Sequence, residues 1–108
     1  MAADLWGDLG QVAPAATTLT TLYTVPAARR ASITVLICNR GTATTVRVAL
    51  SPSGASIANA QYMLYDFALA ANASQSTFNF VAKATDVIRV YAGTADVSFH
   101  ANGIEEDA

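Results

Sequence analysis

Short runs of β-branched and aromatic residues return again and again along this chain, each closed by turn-forming residues, and no stretch sustains a helical period. Side chains of these types pack well on a pleated surface, so such runs are strand signals. They fall near 17–25, 31–39, 43–51, 61–69, 75–81, 86–92 and 95–102. Val25-Pro26-Ala27 ends the first, Asn39-Arg40-Gly41-Thr42 has the composition of a hairpin turn, and Pro52-Ser53-Gly54 closes the third. Ala71-Asn72-Ala73-Ser74 and Gly93-Thr94 separate the later ones. About seven short strands without helices predict an all-β protein, an antiparallel β-sandwich or a jelly-roll-like fold.

Alternation along each strand identifies the face that meets the core. Val46, Val48 and Leu50 alternate with Thr45, Arg47 and Ala49; Val97, Phe99 and Ala101 alternate with Ser98, His100 and Asn102; Phe78 and Phe80 alternate with Thr77 and Asn79. The expected core is Ile33, Val35, Ile37, Val46, Val48, Phe80, Ile88, Val90, Val97 and Phe99. Two runs are apolar on both faces. In 31–39, Leu36 and Cys38 lie opposite Ile33, Val35 and Ile37, as in a strand covered on both sides. In 61–69, strict alternation sets Tyr62 and Leu64 against Met63, Tyr65, Phe67 and Leu69. A sandwich of this size has one core, so part of this apolar surface is expected to meet another chain. Residues 54–60 fit a helical turn or an extended loop. The organisation read from the sequence is an extended N-terminal arm over 1–15, a β-sandwich domain over 16–104 and an acidic tail over 105–108.

Composition narrows the function classes. Charged residues are 13% of the 108 and the apolar set is 53%, a deficit of charge compared with ordinary soluble chains. A mean hydropathy of +0.34 with a net charge of −2 excludes disorder. A pI near 5.0 argues against a nucleic-acid module, which needs clustered cations. One cysteine excludes a disulfide framework. No apolar run approaches the roughly 18 residues of a membrane helix. The first residues carry acids where a secretory signal carries Lys or Arg, so export by that route is not expected.

Chemistry-bearing residues are few. Cys38 lies in an apolar run and reads as a buried small hydrophobe rather than a nucleophile or ligand. His100, the single histidine, falls on a polar strand face; no Gly-x-Ser-x-Gly elbow, phosphate loop or metal-ligand spacing accompanies it. Asp86 reads as a turn residue bonding backbone N–H groups. Arg29 and Arg30 point to opposite sides of an extended chain and are expected to bond carboxylates or a neighbouring subunit's carbonyls. Tyr62, Tyr65 and Tyr91 are amphipathic rings suited to packing, interfaces or sugar stacking. Neither a catalytic site, a cofactor nor a metal is expected. The candidate interface residues are Leu5, Trp6, Arg29, Arg30, Tyr62 and Tyr65.

Several segments, taken in order, carry a resemblance. They are Thr21-Leu22-Tyr23-Thr24-Val25-Pro26-Ala27, a basic step, an apolar strand ending in Cys38-Asn39-Arg40, and Thr45-Val46-Arg47-Val48-Ala49 with Pro52-Ser53-Gly54-Ala55. Gln61-Tyr62-Met63-Leu64-Tyr65-Asp66 and Ala84-Thr85-Asp86-Val87-Ile88-Arg89-Val90-Tyr91-Ala92 follow. Over roughly residues 9–104 the chain resembles small virion structural proteins of tailed bacteriophages. That resemblance implies a non-enzymatic β-rich subunit of the tail, baseplate, collar or fibre region, or a capsid decoration protein. It implies other virion proteins as partners, a homo-oligomer for which a trimer would suit, no nucleic acid or membrane contact, and a virion location after assembly in the host cytoplasm. The rival expectation is a carbohydrate- or receptor-binding β-sandwich at a fibre tip. Removing residues 1–12 is expected to weaken incorporation and leave the β-fold intact.

Overall fold

The computed structural model describes residues 3–108, and these form two antiparallel sheets packed face to face. Among the described residues there are nine strands: β1 (Leu5–Val12), β2 (Thr20–Thr24), β3 (Arg29–Asn39), β4 (Thr44–Ser51), β5 (Tyr62–Leu69), β6 (Ser74–Ser76), β7 (Phe80–Ala82), β8 (Val87–Ala92) and β9 (Val97–Asp107). One sheet runs β1-β9-β3, with β6 and β7 both on the far edge of β3; the other runs β2-β8-β4-β5. Five of the pairings are nested in sequence: β4 with β5, β3 with β6 and with β7, β2 with β8, and β1 with β9. The pairings β3·β9 and β4·β8 then join these hairpin-like layers into two sheets.

The core lies between the sheets. Ile33, Val35, Ile37, Val46, Val48, Ile88, Val90, Val97 and Phe99 are all buried, as their alternation predicts. Phe80 is half-buried and packs against this cluster from the rim. Asp86 is buried and staples two turns: its Oδ1 accepts from the Ser53 N–H at 2.9 Å and its Oδ2 from the Lys83 N–H at 2.9 Å. Both neighbouring turns use the left-handed region, at Ser53 (φ 53°) and Thr85 (φ 69°). Residues 54–60 resolve into an extended link between two 3-10 turns, Pro52–Gly54 and Asn59–Gln61.

Several expectations are corrected. The strand count is nine rather than seven, for two reasons. The stretch read as an arm contains β1, which pairs with β9 from Leu5↔Glu105 to Val12↔Phe99 while Leu9 and Val12 pack on the core. The 75–81 run is broken into β6 and β7, because three residues, Thr77, Phe78 and Asn79, stand opposite two on β3, Thr34 and Val35. Such a bulge bends the strand and flips a side chain. Phe78 is thereby turned out and is 95% exposed, whereas alternation had put it beside Phe80.

The acidic residues 105–107 are likewise not a tail but the end of β9, in register with Arg29, Arg30 and Ala31 of β3. The turn at 39–42 does not make a hairpin: β3 and β4 belong to different sheets, and the buried Asn39 amide holds the corner by donating to the Thr42 and Ala70 carbonyls at 2.8 and 3.0 Å. Cys38 and Leu36 are exposed on the outer face of β3, which no second layer covers.

The two open sides of the sandwich differ. On one side β1 crosses close to β2; a Cβ on Gly10 would come within 2.7 Å of the Leu22 carbonyl oxygen, so only glycine lets the sheets meet there. The opposite side, between β5 and the β6–β7 edge, is not closed in this way.

Candidate functional site

Two surfaces concentrate the side chains that could meet a ligand or partner. The first is the outer face of β4, β5 and β8. In β5 the register with β4 slips twice: Met63 is an extra residue between Tyr62↔Ala49 and Leu64↔Val48, and Tyr65 with Asp66 together oppose Arg47. At the second slip Asp66 takes the left-handed conformation (φ 49°). Leu64, Phe67 and Leu69 therefore turn toward the core, while Tyr62 and Tyr65, which strict alternation separates, share the outer face.

Arg47 is the centre of this face. Its guanidinium lies between two rings, 4.3 Å from the Tyr65 centroid and 4.4 Å from that of Tyr91, its cross-strand neighbour. Its Nε donates to Asp66 Oδ1 at 2.6 Å. The hydrogen bond to Asp66 outweighs desolvation and raises the guanidinium pKa further above its already high value. Tyr62 meets Tyr65 edge to face, with centroids 4.8 Å apart and planes at 75°. Stacked cation–aromatic contacts of this kind order long side chains on an otherwise mobile surface. Asn59, at the start of the preceding 3-10 turn, joins Tyr62 and Tyr65 in lining a shallow notch of about 350 Å³.

The second surface is the open side of the sandwich. Met63, Leu64 and Phe67 of β5 face Thr77, Phe78 and Phe80 across an apolar groove of about 570 Å³. Met63 and Val81 are exposed along it or beside it, and Phe78 projects almost wholly into solvent.

The remaining sequence candidates fall elsewhere. Arg29 is buried at one end of the sandwich, where its Nε donates to Glu105 Oε2 (3.1 Å), Nη1 to Asp107 Oδ1 (2.6 Å) and Nη2 to the Ala3 carbonyl (2.8 Å). Asp107 raises its pKa most, against the opposing cost of burial. Tyr23, from the other sheet, donates its hydroxyl to Glu105 Oε1; burial first, then this carboxylate, pushes the phenol well above its ordinary pKa. This cluster ties the two sheets and the chain's beginning together, so Arg29 is withdrawn from any surface. Arg30 points outward and pairs with Glu106 at 3.2 Å. Leu5 and Trp6 lie on the edge strand β1, with Trp6 73% exposed and opposite Ile104.

His100 lies on the outer face of the β1-β9-β3 sheet with Nδ1 3.6 Å from Asp8 Oδ2. It lines a shallow depression with Leu36, Cys38, Ser74 and Ser76. Among the described residues, no group of three His, Cys, Asp or Glu side chains is arranged to hold a metal ion.

Arg47, Asp66 and Asn59 are the members of the first surface that the sequence did not single out, and Tyr91 was read as an amphipathic ring but not as the partner of Arg47. The signal for Arg47 and Tyr91 was present, since both occupy the polar-face positions of strands that pair in register. The signal for Asp66 depends on a bulge. No family model matches the chain, and neither a curated protein nor a solved structure matches it.

Proposed function

We propose that the protein is a non-enzymatic structural subunit of a tailed-bacteriophage virion, an accessory of the tail, baseplate, collar or fibre region or a capsid decoration protein, and that its sandwich is a jelly roll. The observation that carries the reading is the apolar groove on the open side, with Phe78 standing 95% exposed at its edge. An uncovered sheet edge lined with aromatic and aliphatic side chains invites a partner, and a chain with few charges offers little to keep partners away. Nested pairing of β4·β5, β3·β6/β7, β2·β8 and β1·β9 supports the jelly-roll reading, since a long hairpin rolled up on itself pairs its strands in that order. Jelly rolls serve as capsid and as lectin domains, so the architecture is compatible with a particle subunit without specifying one. Self-association into a closed ring, a trimer included, would cover such edges by symmetry.

The test is occupancy in purified particles. The wild-type chain should be found at a fixed copy number and a defined position by electron microscopy. Phe78→Ser should lower occupancy by about tenfold or more, as expected of an aromatic interface anchor, with no loss of fold because the ring is not part of the core. His100→Gln should leave occupancy unchanged. Absence of the wild-type chain from particles would overturn the virion reading; full occupancy of Phe78→Ser would remove the groove from it.

A further inference from the structure

The geometry points to a binding site for a neutral pyranose sugar in the notch formed by Asn59, Tyr62 and Tyr65. This inference does not depend on where the protein is assembled.

Three features of the notch argue for that ligand class. Its volume of about 350 Å³ is at the small end of the range for small-ligand pockets, about 300–1,000 Å³, and suits one ring of a glycan rather than a peptide. Its two aromatic walls are not parallel. A flat base needs one face or a parallel slot, whereas two rings at 75° form a corner. A chair-shaped pyranose has C–H groups on its face and on its edge, so it can place one against each wall. Sugars also require polar groups that both donate and accept beside the apolar surface. The Asn59 amide does both.

Charge decides for a neutral sugar over a phosphate or an acidic one. The cation nearest the Tyr65 ring, Arg47, is already offset by Asp66 at 2.6 Å, so the pair presents a dipole rather than a free positive charge. The same pair keeps the site ordered. Tyr65 is fixed by Arg47 on its face and by Tyr62 at close range, and Arg47 is held in turn by Tyr91 and Asp66. A ligand arriving at rings already in place loses less of its binding energy to ordering side chains. The double bulge in β5 creates the corner, since it brings Tyr62 and Tyr65 to the same side.

The experiment is saturation-transfer NMR on the full chain with four probes: the methyl glycosides of glucose, galactose, mannose and N-acetylglucosamine. At least one should receive saturation, with a Kd on the order of 1 mM, as suits a small ligand on a shallow site. Tyr65→Ala and Tyr62→Ala should each weaken it by about tenfold or more. Asn59→Ala, an exposed position whose replacement does not touch the core, should weaken it severalfold, and Leu36→Ala on the other sheet should leave it unchanged. Failure of all four probes to take up saturation overturns the inference, as does binding that survives both Asn59→Ala and Tyr65→Ala in folded protein.

Discussion

Phe99 is the largest side chain with no exposed surface, and it sits on β9 between β1 and β3. Phe99→Ala should therefore cost about 3–5 kcal/mol, a large part of the stability of a small domain. Phe80→Ala should cost clearly less, because the ring at the rim of the groove already meets solvent on one side. Urea denaturation of the two variants ranks them, and equal losses would contradict the rim placement. Cys38 supplies the second test at this scale: it should react with a maleimide in the native protein, and protection until unfolding would contradict its exposure. Its apolar run reads as buried, but cross-strand neighbours decide the outcome. Cys38 stands opposite Ser74 and Ser98, small side chains that leave it open to solvent. The inward residues were legible because alternation alone defines them; exposure on the outer face depends on what, if anything, forms a further layer.

Strand β1 shows what an element contributes beyond its composition. Removing residues 1–12 should lower the melting temperature by roughly 10 °C or more, since it strips one of the two partners of β9, the half-buried Leu9 and Val12, and the Ala3 carbonyl that receives Arg29. An unchanged thermal transition would return these residues to the status of an arm. Gly7, Asp8 and Gly10 interrupt the apolar pattern, so the segment does not read as a strand. Yet Gly7 (φ +106°) and Gly10 are what allow β1 to bend and to approach β2. The end of β9 was missed for a related reason. Three consecutive acids read as solvated, while the arginines that pair with them lie 76 to 78 residues earlier, at Arg29 and Arg30. The alternating stretches of β4, β8 and β9 could be read from the chain alone. The bulges in β5 and between β6 and β7 could not, because a bulge is a mismatch between two strands. They produce both candidate surfaces, which is why alternation paired Tyr62 with Leu64 and Phe78 with Phe80.

At the scale of the molecule, the scarcity of charge and the apolar groove are two views of one property. The groove lies where the two sheets fail to close, and the sequence supplies neither lysines nor prolines along β5 to guard that edge. The nested pairing also has a consequence in time. Strand β9 leaves the ribosome after the other eight strands described, yet it is an inner strand of its sheet, flanked by β1 on one side and β3 on the other. During synthesis β1 and β3 wait, unpaired with each other, for a strand about sixty residues or more away from them; only the β4–β5 hairpin and the strands next to it can form early. Pairings of such long range fold slowly, on a scale of about milliseconds to seconds. In refolding experiments, conservative substitutions in β4 and β5 should slow folding, whereas those in β1 should chiefly speed unfolding. The reverse pattern would mean that the ends meet first. If the expected order holds, a ribosome-stalled chain lacking β9 exposes the apolar faces of β1 and β3, and the cell must shield that half-built sheet until β9 emerges.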